Sequence, residues 1–311
     1  MIINYNSYLC NKVNDMDKVL NVHSVNDYAR YQGAEVLHPY VSVIHYDELE
    51  HFRHSLNRYD VYGIFLADEV TEGLTYGMVN YDLAHHALMC VAPGQIGGKT
   101  DDGLPHRSKG WAFLFDPALL VGRELGRRMH RYTYFSYSTS EALLMTDAER
   151  DTVVGLFESI RTELRTPADD HTGNIIAAQI ALLLELVGRY YSRQMATALP
   201  SQANLLSRLE GLLGRYYADG LYREQGLPTV KYCAQELCLS PNYFGDLVRQ
   251  LTGENATKAI RRYVMQRAQT LLADGRTVGE TADLLGYEHP QHFTRQFKNH
   301  FGITPTAFQH N

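Results

Sequence analysis

Between residues 35 and about 115 the apolar residues come in short runs rich in Val, Ile, Tyr and Phe, cut apart by Asp, Glu, Gly and Pro. Four such runs predict strands: "VSVIHY" (41–46), "YDVYGIFLAD" (59–68), "TYGMVNYD" (75–82) and a fourth over 87–94. Short strands at this spacing predict a small antiparallel barrel or sandwich. After Trp111 the apolar positions recur instead at three- and four-residue steps, the period of helices. "DPALLVGRELGRRM" predicts a short helix opened by Asp116-Pro117. Two long helices are predicted over 146–166 and 172–195. In the first, Val153, Leu156, Phe157, Ile160 and Leu164 share one face. The second is apolar nearly all round, so it must be buried, either in the core or against a partner helix. That hairpin, 146–195, is a candidate homodimer seam, with a cover for the strands as the equal alternative. The polar, Pro-bearing "ATALPSQANL" (196–205) then reads as a break. The fold class is therefore α+β, with a strand-rich front over 1–195, a linker over 196–204 and a helical back over 205–311.

The back contains one unit used twice, over 229–253 and 277–302. Val230, Ala234 and Leu237 match Val278, Ala282 and Leu285 at an offset of 48; Phe244, Val248 and Gly253 match Phe293, Phe297 and Gly302 at 49. Val, Ala and Leu at i, i+4 and i+7 make one apolar face, with a small residue where a second helix must come close. A break follows, then Ser240-Pro241 or His289-Pro290 opens a second helix with proline in its first turn. Phe and then Val or Phe four residues on point back to the first helix, and glycine ends the unit. Two helices joined by a tight turn, the second with a polar and basic outer face, is the helix-turn-helix arrangement. A predicted helix over 257–275 joins the copies.

Charge follows the same division. From residue 202 onward there are twelve Lys and Arg against ten Asp and Glu, leaving −8 on the first 201 residues of a chain whose net charge is −6. The back is thus mildly basic inside an acidic protein. Four cysteines, Cys10, Cys90, Cys233 and Cys238, form no CxxC and predict free thiols in a reducing cytoplasm. The N-terminal "MIINYNSYLCNKVND" lacks the basic and apolar regions of a secretory signal, and no unbroken apolar run approaches the ~18 residues of a membrane span.

On these residues the last hundred or so positions resemble the DNA-binding domain of the arabinose-regulator (AraC/XylS) family of bacterial transcription regulators. "GYEHPQHFTRQFKNHFGITPTAF" is similar to that family's signature G-[FY]-x4-[HY]-F-x3-F-K-x3-G-x-[ST]-P, and "LSPNYFGDLVRQLTG" resembles its first unit. More loosely, "LHPYVSVIHYDEL" and "YGIFLADEVTEGLTYG" resemble the cupin-like effector and dimerisation domains of many members. The resemblance implies a cupin-like barrel in front and a seven-helix DNA reader behind. Its two recognition helices would enter successive major grooves of double-stranded DNA about 34 Å apart. It also implies a cytoplasmic homodimer in which a small-molecule effector shifts DNA affinity or RNA polymerase contact.

Residue chemistry assigns roles on those helices. Asn242 and Gln291 suit adenine, Arg295 suits guanine, Asp246 can accept from cytosine, and His292 lies beside them. Arg249, Lys298 and Asn299 lie further along and suit phosphates, with Arg261, Arg262 and Arg267 of the linking helix as weaker candidates. Phe293, Phe297, Phe301 and Tyr287 read as core, and His289 and His300 as bystanders. In the front, the strand tyrosines Tyr40, Tyr46, Tyr59, Tyr62, Tyr76 and Tyr81 suit a sugar or aromatic ligand. Tyr40, Tyr62 and Trp111 are the effector-site candidates. The competing reading is a metal-dependent cupin-type enzyme. Such a site needs HxH, a following Glu and a later His; His51/His54 and His85/His86 do not supply it, and adjacent histidines on a strand face opposite ways. No nucleophile triad or P-loop stands out, and the Gly-rich 92–103 stretch lacks the helix a phosphate cradle needs. No catalytic residue, metal or cofactor is expected.

Overall fold

Pairing resolves the front into more and shorter strands than the apolar runs predict. The computed structural model describes residues 19–310 apart from 70, 77–78, 84–85 and 203; the N-terminal stretch with Cys10 lies outside them, as do His85 and the side chains of Tyr76 and Tyr81. In chain order come β1 (Val19–Val22), α1 (Val25–Gln32), β2 (Val41–His45), β3 (Leu56–Tyr59), β4 (Tyr62–Ala67), β5 (Thr71–Tyr76), β6 (Val79–Leu83), β7 (Ala87–Val91), β8 (Ile96–Gly98) and β9 (Gly110–Phe115). The run 59–68 splits because Asp60 turns its N–H to the Val22 carbonyl at 2.9 Å. The run 75–82 is the two arms of a hairpin, with Thr75 opposite Asn80 and Tyr76 opposite Val79. The Gly-rich stretch contributes β8, which pairs antiparallel with β3.

These strands, with β10 (Leu143–Leu144), form two five-stranded sheets, ordered β1-β3-β8-β5-β6 and β10-β7-β4-β9-β2. Of the barrel or sandwich expected from the sequence, the strand pairing shows two sheets across a shared apolar layer. Val22 and Tyr59 of one meet Ile44, Val91, Ala112 and Leu114 of the other, with Val25, Tyr28 and Ala29 of α1. Strand alternation sends Trp111, Phe113 and Phe115 to the opposite face of the second sheet. There Trp111 and Phe113 meet Phe157, at centroid distances of 6.1 and 5.5 Å. Every residue of β9 is buried, as a strand covered on both faces must be.

Asp116 caps a single 3₁₀ turn at Pro117–Leu120, and the helix expected there resumes only as α2 (Glu124–Arg128), after Val121 and Gly122. The two long helices follow as α3 (Asp147–Arg165) and α4 (Thr172–Gln202). Thr146 and Glu149 close a capping box at the start of α3, and Val153, Phe157, Ile160 and Leu164 are its buried row. Arg161 donates to Glu48 at 2.8 Å, and this bond holds the Glu48 carboxyl below its usual range. Within α4, Thr172–Thr197 has the length and mean hydropathy (1.3) of a membrane span, although its apolar residues form no unbroken run. Its Ile176, Ile180, Leu183, Leu184, Val187 and Tyr191 are nevertheless buried in the protein. Tyr191 stacks on Tyr134 at 5.5 Å.

Two compact units result, Met1–Gln194 and Met195–Asn311. The irregular linker expected over 196–204 is helical as far as Gln202. Pro200 lies inside α4, two residues before its end, and the helix is not stopped upstream of it. The second unit continues with α5 (Asn204–Ala218), the single turn α6 (Tyr222–Gln225), α7 (Val230–Glu236), α8 (Pro241–Thr252), α9 (Ala256–Ala273), α10 (Val278–Leu285), α11 (Pro290–Phe301) and α12 (Pro305–Gln309). The seven-helix expectation is exceeded by that single turn. One apolar cluster of this unit joins Tyr216, Tyr217, Met265, Ala268, Ala282, Leu285, Tyr287, Phe293 and Phe297.

Candidate nucleic-acid interface and ligand cavity

Each copy of the repeat is built as its residues dictate. In the first, Thr229 caps α7 by accepting from Tyr232 N, and Ser240 caps α8 by accepting from Tyr243 N. In the second, Thr277 and Glu280 form a capping box on α10, while His289 begins α11 without a side-chain bond. Pro241 and Pro290 occupy first turns, and Gly253 and Gly302 end both second helices in the left-handed region. Ala234, Phe244 and Val248 in one copy, and Ala282, Phe293 and Phe297 in the other, are fully buried. The turns differ: Cys238 holds φ 59° in the first, Gly286 φ 88° in the second.

What the anchors leave outside is the candidate interface. Asn242 and Arg249 are exposed on α8, and Asp246 is half-buried. Asp246 lies 3.9 Å from Arg249, a contact in which Arg249 stays two-thirds exposed. On α11, Gln291, His292, Arg295, Lys298 and Asn299 are all exposed. His292 therefore faces solvent rather than the core edge, with its ring 5.5 Å from that of His289. Successive helix positions turn by about 100°, so Gln291, Arg295 and Lys298 form one row, with His292 and Asn299 along its edge. Tyr287 is buried and donates to Gln296 Oε1 at 3.1 Å. Arg267 departs from the phosphate role: its guanidinium lies 4.7 Å over the Tyr217 ring, and the side chain is half-buried.

The front unit holds a cavity of about 120 Å³. Tyr28, Tyr46, Tyr59, Phe65, Tyr134 and Tyr191 supply much of its wall. None of the expected effector residues lines it. Trp111 is on the helix-covered face of its sheet, stacked on His45 at 4.0 Å. Tyr62 is on that face too, stacked on Phe115 at 5.0 Å, and Tyr40 is exposed before β2. Tyr46 and Tyr59, named only as strand tyrosines, do line it. Tyr28, Tyr134 and Tyr191 come from helical segments, and no sequence signal joined them to the strands. Burial raises the phenols of Tyr28, Tyr46 and Tyr191 and the Cys90 thiol, so these groups are neutral. Among the described residues no three His, Cys, Asp or Glu converge to hold a metal.

A family model described as a helix-turn-helix domain matches residues 233–311. The C-terminal unit is an AraC-type helix-turn-helix domain. It is 31% identical over 85 residues to the uncharacterized transcriptional regulatory protein YesN of Bacillus subtilis (strain 168), an alignment covering 26% of this chain and 23% of that protein. The chain thus spans about a quarter of the curated relative it matches. Among solved structures it is similar to a DNA-binding transcriptional dual regulator of Escherichia coli K-12 (24% identity, 34% of this chain and 88% of that one, TM-score 0.29). It is also similar to an AraC-type regulator of Chromobacterium violaceum (22% identity, 37% and 93%, TM-score 0.29). Wild-type ToxT of Vibrio cholerae strain SCE256, solved with unsaturated fatty acid bound, aligns over more of the chain (14% identity, 87% and 93%, TM-score 0.29).

Proposed function

We propose that the chain is a sequence-specific DNA-binding transcription regulator that answers to a small ligand in its front unit. The observation that carries this is the duplicated helix-turn-helix, whose second helices bury phenylalanine on one side and expose Asn242, Arg249, Gln291 and Arg295 on the other. Asn and Gln suit adenine edges and Arg suits guanine, so two such faces can read two stretches of major groove. A mobility-shift titration over salt tests it, using DNA from the gene's own promoter region against random duplex. Specific retardation with a steep salt slope is expected; equal retardation of both duplexes, or none, overturns it.

The front unit is read as cupin-like in its paired sheets and as the seat of the effector. A cavity near 120 Å³ is close to the size that holds one benzene-sized ring (about 150 Å³). Its wall joins the neutral phenols and the neutral thiol to His54, Lys99 and Lys109, so it favours an aromatic ligand that also carries a polar or anionic group. Met89 lines the cavity. Met89→Trp is expected to fill it and remove the thermal stabilisation given by whatever ring compound co-purifies, a gain of about 2.7 kcal/mol at a hundredfold excess over Kd in the unsubstituted protein. Thermal unfolding with and without the compound checks this. The hairpin 146–195 is the proposed homodimer seam: Ile175 and Leu182, two turns apart on one face of α4, are 41% and 51% exposed. Contact with RNA polymerase belongs to the same proposal.

A further inference from the structure

A second cavity, of about 210 Å³, lies within the C-terminal unit between α9 and α11. It is lined by Glu254, Lys258, Arg261 and Arg262 on one side and Gln296, Asn299 and His300 on the other. We propose that this cavity seats one backbone phosphate of the DNA strand flanking the major groove that α11 enters, a role that rests on the DNA-binding reading above.

Position argues for it first. Gln296, Asn299 and His300 lie between about 40° and 140° round α11 from Arg295, on the flank between the base-facing row and the buried phenylalanines. A helix of about 10–12 Å diameter fills a major groove about 12 Å wide, so its flanks meet the sugar-phosphate strands. Asn299, at the edge of the base-facing row, is also a wall of the cavity.

Charge argues for it next. The lining carries three permanent cations against one carboxylate. Glu254 is already engaged by Arg262 at 2.9 Å. Among the described residues neither Lys258 nor Arg261 has a carboxylate partner, and both are exposed. Both cations lie in the first two turns of the 18-residue α9, whose positive dipole end adds to their field. Gln296 accepts from Tyr287 through Oε1, which leaves its amide N–H groups to donate. Cations and amide donors facing a shared space make an anion seat, and the flank position selects DNA phosphate as the anion.

The test is the double variant Lys258→Ala/Arg261→Ala, titrated with a specific duplex and a random duplex across a salt series. One lost phosphate contact should weaken both duplexes by the same factor, about five- to tenfold near 0.1 M salt. The slope of log K against log salt should fall by about 0.9. Lys258→Arg/Arg261→Lys, which keeps the charge, should retain the original slope and so separates loss of charge from loss of fold. Unchanged affinity and slope in the alanine variant would overturn the seat, and so would a loss confined to the specific duplex. If the unsubstituted protein shows no DNA binding at all, the functional reading itself has failed.

Discussion

Phe297→Ala is expected to cost about 3–5 kcal/mol of folding stability in the C-terminal unit, the range for emptying a buried phenylalanine site. Phe297 is wholly buried. Its ring lies 5.7 Å from Phe293, 4.6 Å from Phe301 and 5.8 Å from Phe308. It thereby ties α11 to itself, to α12 and to the cluster around Leu285 and Met265. Domains of this size are stable by only about 5–15 kcal/mol, so the loss approaches the whole. Thermal or denaturant unfolding followed by circular dichroism measures it. DNA binding should fall on every sequence together, because the recognition helix is no longer held. A cost below about 1 kcal/mol would mean that α11 is anchored elsewhere.

Arg295→Ala should do the reverse. Arg295 is exposed, one position before the half-buried Gln296 and two before Phe297. Surface truncations of this kind change stability by about 0.5 kcal/mol or less. Lost bidentate pairing with guanine should instead remove about 1–3 kcal/mol of discrimination at one base pair. Competition between the preferred duplex and its single-base variants reads this directly. An equal fall in affinity for all of them would place Arg295 on phosphate, and unchanged binding would remove it from the interface.

The two variants concern near neighbours, and their placements, one buried and one exposed, were readable because the signal is local. Phe at i and i+4, proline in the first turn and glycine at the end specify a short amphipathic helix within a dozen residues. The duplication then says that the pattern is architectural. The exposed row followed by subtraction, and it includes all five candidates on α11. His300 shows the limit of subtraction: a bystander on its own helix, it becomes a cavity wall once α9 is packed beside it.

The front unit resisted for the opposite reason. Its pairings are non-local, as when β1 lies parallel to β3 and β10 pairs with β7. Alternation says that Trp111 and Ala112 face opposite ways, but not which way is inward. Trp111, the only tryptophan, proves to lie on the face covered by α3, away from the cavity. The cavity wall joins Tyr28, Tyr59, Tyr134 and Tyr191, residues scattered over most of the unit and sharing no period. Pro200, expected to mark a break, instead lies inside α4 two residues before its end.

The two turns of the repeat carry one more consequence. At Gly286 an added Cβ would stand 2.5 Å from the carbonyl oxygen of Gly226, whereas the equivalent bend at Cys238 already accommodates a side chain. The copies have therefore ceased to be spare parts for each other. Glycine can be moved from the second turn into the first, where it only relaxes the backbone. No side chain can travel the other way without pushing the chain before α7 off the end of α10. The second turn is therefore held to glycine by lack of space, and the first is not.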